Sequence, residues 1–201
     1  MQRLTKRLVL ATMIAASLGL PAHAASLVKS YSYFNIRGGT LEELENELNK
    51  RGPQLKGSGS RHPGAAQMEF TSKVGYAETN GACRVVRAAV TLKVKVILPR
   101  WKTPRRADQE TRLIWNTLSA DIKRHEESHV IIGKNHAREL ENTLRKLGRF
   151  KSCEAAQAKV KQVTDQVLAK HDREQTRFDR IEGINFERRI LRLLQYRMER
   201  M

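Results

Sequence analysis

Two cysteines in 201 residues rule out a disulfide-dense miniprotein, and 5 prolines with 12 glycines rule out a collagen-like or low-complexity chain. Aromatic residues make up only 5% of the sequence, too few for the stacked platforms on which single-stranded nucleic acids are bound. Acids are also short: 21 Asp and Glu stand against 38 Lys and Arg, for a formal charge of +17. After the first 24 residues no apolar run approaches the about 18 residues that cross a bilayer, so no membrane span is expected there. What remains, 40% hydrophobic and 29% charged, is the composition of a folded domain and not of a disordered tail.

The first residues have a different character. Arg3, Lys6 and Arg7 precede a 13-residue apolar run over 8–20, followed by Pro21 and the small-residue site Ala22-His23-Ala24. This is the layout of a secretory signal peptide, residues 1–24, cut after Ala24; a membrane-anchored N-terminus is the alternative. Cleavage removes three basic residues and leaves 177 residues with a charge of +14, the length of one domain. Export places the protein in the periplasm or outside the cell. In that oxidising setting Cys83 and Cys153 read as a disulfide and not as a metal pair, with two free thiols as the other reading. An exported basic chain meets anionic envelope polymers, lipid headgroups and acidic proteins, so an anionic envelope component is a candidate partner and nucleic acid ranks last. Basic side chains that only solvate helix faces account for the same charge.

Hydrophobic periodicity gives the order of elements. Residues 31–36 alternate as a strand, ended by Gly38-Gly39. Thr40 with Glu43 forms a capping box that opens a helix carrying Leu41, Leu44 and Leu48 on one face, and Gly52-Pro53 stops it. Residues 54–66 read as an exposed loop. Strands follow over 67–74 and 83–98, with a turn near Asn80-Gly81, the second rich in β-branched residues. From Asp108 the period becomes helical, with a break expected near Ser119 and a stop at Gly148. A further helix runs from Cys153 towards Phe178, and residues 186–201 form a separate basic amphipathic C-terminal helix. That last helix suits an anionic membrane surface, a second subunit, or packing on its own neighbours. Sheet first and helices after argues an α+β fold: a small antiparallel sheet, a motif helix and C-terminal helices.

The chemistry lies in Arg124-His125-Glu126-Glu127-Ser128-His129, an HExxH motif inside a helix. Residues four apart share a helical face, so His125 and His129 can converge on one Zn2+ while Glu126 sits beside it. In such a site zinc lowers the pKa of its bound water and polarises the scissile carbonyl, and the glutamate acts as general base. Two surface histidines on a charged helix are the plain alternative. A hydrolytic site needs a third protein ligand. His136 lies about 10 Å along the axis from His129 on a continuous helix, too far to share the ion. The candidates on the following helix are Glu154, Asp165, His171, Asp172, Asp179 and Glu182, with His171 and Asp179 first; any one of them read alone is a solvated side chain.

Taken together, these motifs resemble a bacterial domain-of-unknown-function family described as secreted zinc-dependent proteases, over about Tyr31 to Gly183. The resemblance rests on Tyr33-Phe34-Asn35-Ile36-Arg37-Gly38 with the helix and turn that follow, and on Cys83-Arg84-Val85 leading to Leu98-Pro99-Arg100-Trp101. It continues in Trp115 ten residues before His125, the HExxH itself, and Cys153 on the next helix. It implies a zincin-like domain over 25–185, zinc at His125 and His129, Glu126 as base, and a Cys83 to Cys153 disulfide. The family closes with a YDxxTxHG segment whose His would complete a metal site. Here the matching stretch is Phe178-Asp179-Arg180-Ile181-Glu182-Gly183-Ile184-Asn185, with Ile184 in place of that His. Two functions follow as expectations. One is a secreted or periplasmic zinc metallopeptidase acting on a protein or peptide substrate; the other is a noncatalytic envelope-binding protein that keeps a degenerate protease fold.

Overall fold

The computed structural model describes residues 25–54, 59 and 61–200; the expected signal peptide lies outside the described residues. Among the described residues four strands and three α-helices follow in the order β1 (Ser26–Ile36), α1 (Leu41–Arg51), β2 (Ala65–Thr79), β3 (Ala82–Trp101), α2 (Gln109–Arg145), β4 (Arg149–Phe150) and α3 (Cys153–Met198), with one 3-10 turn at Pro104–Arg106. The architecture is α+β. The sheet, however, is mixed and not antiparallel. Its order is β1-β3-β2: β2 and β3 form an antiparallel hairpin, while β1 lies parallel to β3 from Ser26 beside Thr91 to Ile36 beside Trp101. Alternation marks a strand but not its partner. Here β3, the last of the three long strands in sequence, inserts between the other two, so β1 and β2 lie on opposite sides of it.

The caps explain the helix starts. Thr40 accepts from the Glu43 backbone N–H, Asp108 from that of Thr111, and Ser152 from that of Ala155. On β3 the residues Val85, Ala88, Val90, Leu92, Val94, Val96 and Leu98 face the helices and are buried. The parity changes between Val85 and Ala88 because a bulge opposite Gly75 and Tyr76 inserts one residue, without which half the strand would turn its valines to water. Ile122, Val130, Ala137, Leu140 and Leu144 of α2 and Val163 and Val167 of α3 complete this core. A second cluster, Ile36, Leu44, Leu48 and Trp115, holds α1 to the start of α2. Between β4 and β1 the free edge of β3 is paired by side chains of α2: Val90 N–H donates to Glu141 Oε2 (2.8 Å), and Arg145 Nε donates to the Ala88 carbonyl (3.1 Å).

Three other expectations change. Gly64 and Ala65, read as exposed loop, are buried, and Ala65 opens β2. Helix α2 runs without a break at Ser119, because Trp115, Ile122 and Glu126 keep one face against the body of the protein. Helix α3 likewise runs through Gly183 and Phe186, so residues 186–198 are its continuation and not a separate helix. Polar ties between the two helices hold that stretch: Arg189 donates to Asp121 (3.0 and 3.1 Å), and Arg124 pairs with Glu182. The disulfide between Cys83 and Cys153 is formed, joining the start of β3 to the start of α3, and is consistent with an extracytoplasmic location. No helix among the described residues is long and apolar enough to cross a membrane.

Candidate metal centre

Helix α2 turns Ile122, Glu126 and Val130 inward, which leaves His125 and His129 on the adjacent strip, facing α3. Helix α3 runs antiparallel along that strip and presents His171, Gln175, Asp179 and Glu182, spaced so that all lie on its inner face. The two histidine Nε2 atoms are 3.0 Å apart, and Asp179 Oδ1 lies 2.9 Å from that of His129 and 3.3 Å from that of His125. Four-coordinate zinc with bonds of 2.0–2.1 Å separates its ligand atoms by about 3.3 Å. His125, His129 and Asp179 thus form a group that could hold a metal ion.

Phe178 packs against both imidazoles, with ring centroids 5.1 Å from His125 and 5.0 Å from His129, and limits their rotation. Behind the metal-facing atoms, His129 Nδ1 lies 2.6 Å from Gln175 Oε1 and His125 Nδ1 lies 3.6 Å from the Glu182 carboxylate, which Arg124 and Arg189 hold in place. Burial disfavours the Asp179 carboxylate, but the hydrogen bonds to His125 and His129 outweigh it and keep the group ionised well below the usual carboxylate range. Burial likewise works against charge on His129, yet Asp179 and Gln175 raise its pKa, so a proton is stabilised where a cation would be. Glu126 is 5% exposed, and there burial wins over the attraction of His129 and His125 and pushes its carboxyl up.

A cavity of about 580 Å³ opens onto these residues. Its walls are His62 to Ala66 and Met68, Ile122 on α2, and Phe186 and Arg189 on α3. Gly64 crosses directly over the motif: a Cβ there would meet Glu126 Oε1 at 2.8 Å and Ile122 at 2.9 Å, so only glycine lets this segment approach the carboxylate so closely.

Of the residues singled out from sequence, the fold brings His125, Glu126, His129 and Asp179 together. His171 stands outside the group: its Nε2 is 2.9 Å from the amide nitrogen of Gln175 and its Nδ1 is 2.9 Å from Asp172. His136 is buried one strip further along, 2.8 Å from Glu174. Glu127 pairs with Lys29 (2.8 Å) and Tyr31 of β1, and Asp165 with Lys161. Glu154, an exposed residue at the start of α3, lies a helix length from the site. Sequence reasoning missed His62, Gly64, Gln175 and Phe178. Gln175 had a signal, since 171, 175 and 179 are four apart on one helix; His62 had none.

The family model described as Bacterial protein of unknown function (DUF922) matches residues 31–187. No curated protein and no solved structure matches the chain.

Proposed function

The chain belongs to DUF922, a bacterial family of unknown function, and we propose that it is an exported zinc metallopeptidase in which His125, His129 and Asp179 hold one Zn2+ and Glu126 is the general base. The observation that carries this reading is the convergence of three ligand atoms beside a buried carboxylate at an open cavity. Two imidazole nitrogens and one carboxylate oxygen are the donor set of hydrolytic zinc sites, which keep a fourth position for water or substrate. Zinc bound there supplies a Lewis acid for the scissile carbonyl and lowers the pKa of the attacking water. Residues 1–24 act as the export signal in this reading, and the disulfide supports it.

The remaining work falls to the chain's own groups. Glu126 takes a proton from the attacking water and passes it to the leaving nitrogen as the C–N bond breaks, leaving a carboxylate and an amine. Its raised pKa suits that exchange, because a base that must also give the proton back works best near neutrality. Strand β2 is at the edge of the sheet among the described residues, and its first residues Ala65, Ala66 and Met68 line the cavity. An extended peptide added to that edge would run past Glu126. Among the cavity side chains, Arg189 is held by Asp121 and Gln175 by His129 and His171, whereas His62 Nε2 has no partner among the described residues. We assign to His62, which lines the cavity, the role of donor to the carbonyl oxygen as it gains negative charge. His62→Ala lowers kcat/KM by about 10²-fold with zinc content unchanged, and equal rates in the variant exclude the role.

Elemental analysis of the purified protein tests the centre itself. One zinc per chain, lost in both His125→Ala and His129→Ala, is the expected result. Folded protein that takes up no zinc even after reconstitution overturns it, and the noncatalytic envelope-binding reading then replaces it.

A further inference from the structure

A histidine binds a metal only through the ring nitrogen that carries no proton, so a metal site must also specify a tautomer. For His129 that specification can be traced back through two residues. His171 is 8% exposed and packs edge-on against Phe70 at 5.0 Å. Its Nδ1 lies 2.9 Å from Asp172 Oδ1, an acceptor, so Nδ1–H donates and Nε2 is left as a lone pair. Gln175 Nε2 lies 2.9 Å from that lone pair and 3.2 Å from the backbone carbonyl of His129. Two acceptors there admit only the NH2 end of the amide. Its oxygen consequently faces His129 Nδ1 at 2.6 Å, and an amide oxygen can only accept, so Nδ1 must carry the proton.

We propose that His171 and Gln175 are positioning residues of the metal centre: a one-way hydrogen-bond chain from Asp172 through both fixes His129 with its proton on Nδ1 and its Nε2 free for the metal. The proposal rests on the metallopeptidase reading for its purpose, but its geometry does not depend on it. The His129 Nε2 lone pair and the Asp179 carboxylate oxygen then meet at 2.9 Å with His125 Nε2 within 3.3 Å of both, an arrangement that a cation stabilises. It also gives a reason for glutamine at 175. A carboxylate would present an acceptor to the His171 lone pair and drive the chain to reverse.

Ring-nitrogen NMR of the full chain labelled with 15N in its histidines reads the tautomers directly. In the zinc-loaded protein His171 and His129 both show Nδ1–H, and zinc sits on His129 Nε2. His171→Leu leaves only the 3.2 Å contact to the His129 carbonyl to hold the NH2 end of the amide, so the His129 Nδ1–H signal is no longer single and zinc binds about 10- to 100-fold more weakly. His171→Gln, which can offer a carbonyl oxygen to the same amide, restores both; a role in packing alone would be served better by leucine. Zinc on His129 Nδ1, with the proton on Nε2, in the zinc-loaded wild type overturns the proposal, as does a folded His171→Leu protein with unchanged His129 signals and zinc affinity. If the wild type binds no zinc, the metallopeptidase reading falls by itself. The His171 ring of the metal-free protein then decides the chain: Nδ1–H is expected, and Nε2–H overturns it.

Discussion

Glu126→Gln lowers peptide hydrolysis by up to about 10⁴-fold while the protein keeps its zinc. The substitution preserves the shape of a side chain that lies, with Ile122, against Gly64, and none of the three candidate ligands is touched. What it removes is the ability to take a proton from water and return it to the leaving amine, the step proposed for this carboxylate. A casein or peptide-library assay beside metal analysis checks both halves, and retained hydrolysis at full zinc occupancy rejects Glu126 as the base. The same variant has a second readout in the metal-free protein. Burial raises the Glu126 pKa, so the ionised form is disfavoured in the fold, and that cost is present above the unfolded value of about 4.3. Glu126→Gln therefore melts at higher temperature than wild type at neutral pH. The difference closes below about pH 4, where the carboxyl is protonated in folded and unfolded chains alike. Higher stability with lost activity marks a residue kept for chemistry.

The second large effect belongs to the disulfide. Replacing Cys83 and Cys153 together with serine destabilises the domain by about 4 kcal/mol, the chain-entropy value for a closed loop of this size. The bond spans 70 residues, a segment that includes most of β3 and all of α2, and with them the HExxH motif. For a domain of this length that loss lowers the melting temperature by about 8–16 °C, read by calorimetry or circular dichroism under oxidising conditions. Cys83 is fully buried, and β4 pairs with β3 at Cys83 and Arg84, so the bond reinforces a contact the backbone already makes. A melting temperature unchanged in the double variant would mean that this pairing holds the start of α3 without the bond.

How far the site could be read in advance depended on the kind of information each part needs. The HExxH spacing is local: four residues on a helix bring two imidazoles to one face in any protein, and His125 and His129 follow that rule. Thr40 and Asp108 also acted as local signals, because a cap is made with residues three positions away. The expected breaks at Ser119 and before Phe186 failed for the opposite reason. Weak helix formers there are overridden by ties to distant partners, Trp115 against Trp101 and Arg189 against Asp121. Choosing between Asp179 and His171 needed the phase and height of α3 against α2. Those follow from where the loop closed by Cys83 and Cys153 lets the second helix begin.

The sequence by itself determined the composition of a folded basic domain, the α+β order, the existence of β3 as a β-branched strand, the motif on α2 and the pairing of its only two cysteines. Only the tertiary structure decided that β1 runs parallel to β3, that Asp179 stands with the two histidines while His171 acts from behind through Gln175, and that His62 and Gly64 reach the motif from a loop. Periodicity and capping are set by neighbours a few residues away and so leave a mark in the chain. Which faces meet is set by the packing of whole elements, where a shift of one helical turn, about 5.4 Å, exchanges one candidate ligand for another.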